Sequence, residues 1–232
     1  MSAWALTPAE ADALRLSLWV STWAMAGSLP LGIAVAWLLA RRDFPGKTLL
    51  DGLVHLPLVL PPVVVGYLLL VLLGRNGLIG AWLYSALGIT LAFTWKGAAV
   101  AAATMAFPLL VRALRLSFEN VDPGLELAAR TLGAGPWRVF FTVTLPLITP
   151  GIITGLILSF ARGLGEFGAT ITFVANIPGQ TQTLPLALYT LTQVPGGEMG
   201  ALRLCLIAIL LAMVAIVASE ILARRFTLRL RG

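Results

Sequence analysis

The side chains able to do chemistry in this 232-residue chain are few, and most stand at the edge of a long stretch without charge. Arg162 and Glu166 lie four residues apart, the spacing at which a cation and a carboxylate meet on one helix face. Thr170, Thr172 and Asn176 follow them as neutral hydrogen-bonding groups. Two readings stay open for this set. One is a helix-stabilising ion pair. The other is an anion pathway, in which Arg162 supplies positive potential to a passing divalent anion and Glu166 limits how tightly it is held, because a pathway must release what it admits. Full dehydration of such an anion is costly, so the second reading implies a wide, wet passage with weak sites. His55, the single histidine, is read as a local hydrogen-bonding group, since a proton relay wants several buried titratable groups. Lys96 is read as snorkelling to an interface. Cys205 is the only cysteine, which leaves no disulfide or thiolate metal site to be built within one chain. No glycine-rich loop ends in Gly-Lys-Ser or Gly-Lys-Thr, so nothing here cradles ATP phosphates.

The elements that must position these groups are membrane spans. Charged residues make up 11% of the chain against 59% hydrophobic ones, and the mean hydropathy of +0.94 lies far above what a soluble domain keeps out of water. Charge is absent from Leu16 to Ala40, Gly52 to Gly74, Gly97 to Val111, Val139 to Ala161 and Leu204 to Ser219. With weakly polar flanks each window reaches the ~20 residues that cross ~30 Å of hydrocarbon. The expectation is an all-α membrane protein with five transmembrane helices in one domain, residues 1–232, with no internal repeat. The first window follows Glu10, Asp12 and Arg15 and precedes Arg41-Arg42, an order that speaks against a cleaved signal peptide and points the amino terminus outward. On that topology Arg41, Arg42, Lys47, Arg112, Arg115, Arg130, Arg138 and the arginines at 224, 225, 229 and 231 lie inside, eleven of the 16 lysines and arginines. This bias supports a carboxyl terminus inside. Clustering at membrane boundaries also accounts for the net charge of +6 without nucleic acid.

The second span, expected from about Leu49 to Leu73, contains Pro57 and the run Leu60-Pro61-Pro62, whose missing amides and ring clashes must kink it. Freed carbonyls need protein or water, so this segment faces the bundle or a cavity. Whether the kink serves packing or transport stays open. Residues 78 to 87 read as a short interfacial helix, and the third span runs from near Leu91 to near Phe118, with Trp82, Tyr84 and Trp95 at an aromatic belt. Between Glu166 and Glu198 we expect a re-entrant or surface-lying hairpin packed on protein. A sixth crossing there would put the basic tail outside.

The loop at about 119–138 has the most specified soluble-type structure. Asp122 can cap, Pro123 suits the first helical position, Glu126 lies in the first turns, and Gly133 can end the helix left-handed. The helix from Pro123 to Leu132 puts Leu125, Ala129 and Leu132 on one face with Ala128 beside them, and Glu126 can pair with Arg130. So short a helix is marginal alone. It either packs under its own bundle or inserts into a groove of a cytosolic protein and transmits a rigid displacement. Pro136, the pair Leu145-Pro146 and Pro150-Gly151 mark where the next helix starts and softens.

Leu127-Ala-Ala-Arg-Thr-Leu-Gly133, followed nine residues later by Val143-Thr-Leu-Pro146, resembles the EAA loop of binding-protein-dependent ABC importer permeases. Ala128, Ala129, Gly133, Leu145 and Pro146 match that pattern. Leu127 stands where the pattern has glutamate, with Glu126 one position early. Together with Leu56 to Gly66 and Gly165 to Gly179, the loop is similar to the molybdate permease family, and the motifs span most of residues 10 to 225. That resemblance implies a subunit of the bacterial inner membrane forming the translocation pathway for ATP-driven molybdate uptake. The alternatives are a sulfate, thiosulfate or tungstate permease of the same class, and a membrane scaffold without a pathway. It implies a second copy of the chain, two copies of a cytosolic ABC ATPase that bind ATP and Mg, and an extracytoplasmic molybdate-binding protein. It also implies that this chain holds no cofactor and is no enzyme. On that footing Leu125, Glu126, Ala128, Ala129, Leu132 and Gly133 are the ATPase-coupling residues, and Pro57, Pro61, Pro62 and Pro146 the helix hinges.

Overall fold

The computed structural model describes residues 5–231, which form helices and connecting turns with no strand among them. Helix α1 (Pro8–Arg41) opens on a capping box: the Glu10 N–H donates to Thr7 Oγ1 at 3.3 Å and the Thr7 N–H to Glu10 Oε2 at 2.8 Å. A turn with Gly46 at φ 93° leads into α2 (Lys47–Val59), and α3 (Pro62–Leu73) leaves it at a bend of 116°. This corrects the expectation of one kinked helix from Leu49 to Leu73. A residue before proline is driven to extended backbone, and here two in succession obey: Leu60 sits at ψ 143° and Pro61 at ψ 133°. The chain therefore turns a corner. Helix α2 continues through Pro57 without ending there.

Helix α4 (Leu78–Leu87) is the short apolar element, closed by left-handed Gly88. Then come α5 (Trp95–Glu119), α6 (Pro123–Thr131) and α7 (Pro136–Val139), which passes through a π-helical turn, Phe140–Thr144, into α8 (Leu145–Leu164). The π turn sits just before Pro146, whose absent N–H removes an α-helical hydrogen bond at that point. The chain ends with α9 (Gly168–Val174), α10 (Leu184–Thr192) and α11 (Glu198–Arg231). The side chains of Arg224, Arg229 and Arg231, which entered the charge count, lie outside the described residues.

Among the described residues four helical stretches are long and apolar enough to cross a membrane: Pro8–Arg41, Trp95–Glu119, Pro136–Leu164 and Glu198–Leu222. The bent pair of α2 and α3 makes five if it counts as one span. At 1.5 Å per residue, α9 and α10 are only ~10 and ~14 Å long and cannot cross ~30 Å of hydrocarbon.

Helix α5 is the centre of the bundle, packed by α1, α8, α9 and α2. Ala98, Ala99, Ala101, Ala102 and Ala106 let those neighbours approach closely, as small residues do in lipid where no hydrophobic effect drives helices together. Gly155 of α8 would place a Cβ 3.1 Å from the Ala113 Cβ, so that crossing is close-packed as well. Toward the other end Leu110, Leu114 and Phe118 meet Leu39 and Ile148 in a second apolar layer. Long-range polar ties fix the ends. The Leu184 N–H donates to Ser17 Oγ at 2.6 Å, and Arg203 on α11 donates to Glu10 at 2.7 Å.

Candidate functional site

Three groups of residues singled out from the sequence fall in two places. At the end of α8, Arg162 Nη1 donates to Glu166 Oε2 at 2.6 Å, and the other carboxylate oxygen accepts the Ala169 N–H at 2.9 Å. The Glu166 side chain is 2% exposed. One carboxylate thus joins the last turn of α8 to the first turn of α9. Thr170 is buried, the Thr172 hydroxyl donates to the Gly168 carbonyl at 2.9 Å, and Asn176 Nδ2 donates to Thr190 Oγ1 at 2.8 Å. Thr172 and Asn176 thus bond within the segment between α8 and α11, and the ion-pair reading of Arg162 and Glu166 is the one their geometry displays.

The proline corner packs directly on this hairpin. Helix α3 lies against α9, and a Cβ on Gly66 would stand 2.6 Å from the Ala169 carbonyl oxygen. A Cβ on Gly168 would stand 2.7 Å from the Pro62 Cβ. The two motifs, Leu56 to Gly66 and Gly165 to Gly179, thus form one contact whose closeness needs glycine on both sides. Sequence reasoning named both motifs without joining them. The available signal was the glycine in each, which marks a position where another backbone can come near.

The second place is the far end of the bundle. Asp122 Oδ1 accepts the Gly124 N–H at 2.8 Å and starts α6. Left-handed Gly133, at φ 84°, ends it: the Ala134 N–H reaches the Ala129 carbonyl at 3.1 Å and the Gly133 N–H reaches Arg130 at 2.9 Å, the paired bonds of a Schellman cap. Glu126 does not pair with Arg130. Its Oε1 accepts Thr144 Oγ1 at 2.7 Å and Arg41 Nη2 at 3.4 Å, and the same Arg41 nitrogen donates to the Val121 carbonyl at 3.3 Å. The expected local pair loses to partners brought from α1 and the π turn by the fold, and Arg41 and Thr144 are the site residues that sequence reasoning missed. Leu125, Leu127, Ala128 and Leu132 are exposed, Leu132 to 88%, with Ala129 half-buried between Leu125 and Leu132. Helix α6 is therefore held firmly by one face while another, apolar face stays uncovered.

Nearby, Arg115 donates to Asp51 at 3.1 Å and to Glu119 at 2.8 Å, tying α2 to α5. His55 Nδ1 lies 2.9 Å from the Asp51 carbonyl, a local contact one helical turn away. In the turn after α1, the hydrogen bond from Lys47, at 2.8 Å, holds the Asp43 carboxyl below its ordinary pKa.

A bundle with four or five helical stretches apolar and long enough to span a bilayer, and a capped, half-exposed helix at one end, has the make-up of a membrane-embedded protein. The chain belongs to the family described as binding-protein-dependent transport system inner membrane component, which it matches over residues 28–231. It is thus a multi-pass inner-membrane permease subunit and not a catalytic one. It is 66% identical over 219 residues to the molybdenum transport system permease protein ModB of Escherichia coli strain K12, covering 94% of this chain and 96% of that one. It is 59% identical over 221 residues to ModB of Haemophilus influenzae, covering 95% and 96%. The sulfate transport system permease protein CysT of Escherichia coli K12 is 43% identical over 162 residues, covering 70% of this chain and 58% of CysT. In structure the chain matches a bacterial ABC transporter involved in the import of the acidic polysaccharide alginate, with a TM-score of 0.72 and 18% identity, over 95% of this chain and 80% of that chain.

Proposed function

We propose that this subunit forms the translocation pathway for ATP-driven molybdate uptake, as a pair of identical chains above two copies of a cytosolic ATPase, loaded by an extracytoplasmic binding protein. The observation that carries the substrate is the 66% identity to a molybdenum permease over 94% of the chain, against 43% over a shorter stretch to a sulfate permease. The uncovered face of α6 supports the ATPase. Closure of two ATPases would draw two such helices together, and Glu126 would pass that displacement to α1 through Arg41 and to α8 through Thr144. The hairpin after Arg162 and the proline corner would line the passage from two sides once a second copy is present, with Arg162, Glu166, Thr170, Thr172 and Asn176 near it as weak anion contacts. Selectivity then rests mainly with the binding protein.

Uptake by vesicles holding the full complex tests the substrate. With labelled molybdate, tungstate and sulfate in competition, molybdate and its close analogue tungstate should enter in preference to sulfate, and equal sulfate uptake would reject the assignment.

Orientation follows from the same reading, with the amino terminus outside and α6 in the cytoplasm. Reporter tags after residue 232 and near residue 124 should read cytoplasmic, and one near residue 80 external. A carboxyl-terminal tag read outside would require an additional crossing that α9 and α10 are too short to make as helices.

A further inference from the structure

A groove of about 470 Å³ runs along α6, between α1 and the start of the α7–α8 helix. Ile33, Ala34 and Trp37 of α1 form one wall, and Trp137 and Phe140 the other. Glu126 and Arg130, one turn apart on α6, close its end. The volume falls in the ~300–1,000 Å³ range of small-molecule sites. Its walls are apolar, Arg130 lines its end, and Arg42 stands beside its Trp37 wall. Arg42 lies 5.5 Å over the Trp37 ring, and no carboxylate among the described residues pairs with Arg42 or Arg130. The one acid in the groove, Glu126, is already matched by Arg41 at 3.4 Å.

We propose that this groove binds an anionic phospholipid of the adjacent leaflet, with an acyl chain against Ala34 and Phe140 and the phosphodiester between Arg42 and Arg130. Charge complementarity selects this occupant. Two guanidinium groups without a carboxylate partner at a membrane boundary attract a phosphate and hold it by charge-assisted hydrogen bonds, and tryptophans flanking an apolar slot mark headgroup depth. Leu125 and Leu132 do not line the groove, so the lipid and a docked ATPase would use different faces of α6. A bound lipid would bridge α1 to α6 beside the Glu126–Arg41 contact.

Quenching of tryptophan fluorescence by brominated acyl chains reads this contact. The full chain is placed in phosphatidylcholine nanodiscs containing phosphatidylglycerol, with bromine on one lipid or the other, and the Trp37 contribution is obtained by difference from Trp37→Phe. Brominated phosphatidylglycerol should quench Trp37 more strongly than brominated phosphatidylcholine at equal mole fraction. Arg42→Gln and Arg130→Gln should each reduce that preference about fivefold, the worth of one basic residue near an anionic surface. Ala34→Phe, which fills the slot and leaves both arginines intact, should remove the quenching by either lipid. Equal quenching by the two lipids at the native groove would overturn the proposal, since it shows only hydrocarbon contact. Absence of quenching by both would overturn it too, since no acyl chain would then reach the groove.

Discussion

Replacing Ala129 with aspartate is expected, on the proposed docking of α6, to strip the ATPase from the complex during purification. Ala129 lies between Leu125 and Leu132 on the face of α6 that the bundle leaves uncovered. In the chain alone the new carboxylate would still reach water, so the subunit should fold and insert. In a docked interface the same group would be desolvated with no cation assigned to it. Such a buried charge costs ~3 kcal/mol or more, which is over a hundredfold in affinity. Gly133→Val makes the contrast. Gly133 sits at φ 84°, and a Cβ there would meet nothing within 4 Å, so the damage is backbone strain and not collision. Left-handed backbone costs an ordinary residue ~1–2 kcal/mol, and a β-branched one fares worse. The ATPase should stay bound to this variant and hydrolyse ATP while uptake falls, because in the proposed mechanism the exit from α6 into α7 would carry the motion. Binding, hydrolysis and vesicle uptake, measured separately, distinguish the two failures. Ala129→Asp at native levels in all three would remove this surface as the coupling contact.

The parts of the fold that could be read from sequence are those decided by neighbours along the chain. Charge-free windows located α1, α5, α8 and α11, because a span must satisfy its backbone within itself and keep its side chains apolar. Asp122, Pro123 and Gly133 located the ends of α6, because caps are local hydrogen bonds. The glutamate partner was misread for the complementary reason. Glu126 and Arg130 satisfy the local spacing, but Arg41 and Thr144, 85 and 18 residues away in the chain, arrive with better-buried contacts. No periodicity encodes that. The corner at Leu60-Pro61-Pro62 was legible as a disturbance and not as a 116° turn, since proline chemistry removes the helix without choosing the direction that replaces it. The direction comes from what α3 packs against.

That packing makes Gly66→Ala, the addition of one methyl group, a damaging small change in the membrane region. The new Cβ would lie 2.6 Å from the Ala169 carbonyl oxygen and 2.9 Å from the Ala169 Cα. Both are backbone atoms of α9, so no side-chain rotation relieves the clash. Helix α9 cannot simply retreat, because Glu166 holds its first turn and Phe173 and Val174 are buried against the α5 layer. Overpacking of this kind costs ~1–3 kcal/mol, and here the strain falls on the α3–α9 packing that joins the proline corner to the Arg162–Glu166 hairpin. Uptake should drop about tenfold or more, as a shift of ~1.4 kcal/mol in a populated conformation implies. The proposed ATPase should remain attached, since α6 lies in the other group of residues and the atoms nearest a Cβ on Gly66 belong to α9. Gly168→Ala, pressing on Pro62 from the opposite side, should reproduce the defect. Gly52→Ala on α2 is the control, because a Cβ there meets nothing within 4 Å and alanine favours the helix. Transport by Gly66→Ala at the level of Gly52→Ala would show that the closeness of α3 and α9 is dispensable, and the hairpin and the corner would then have to act independently in the passage.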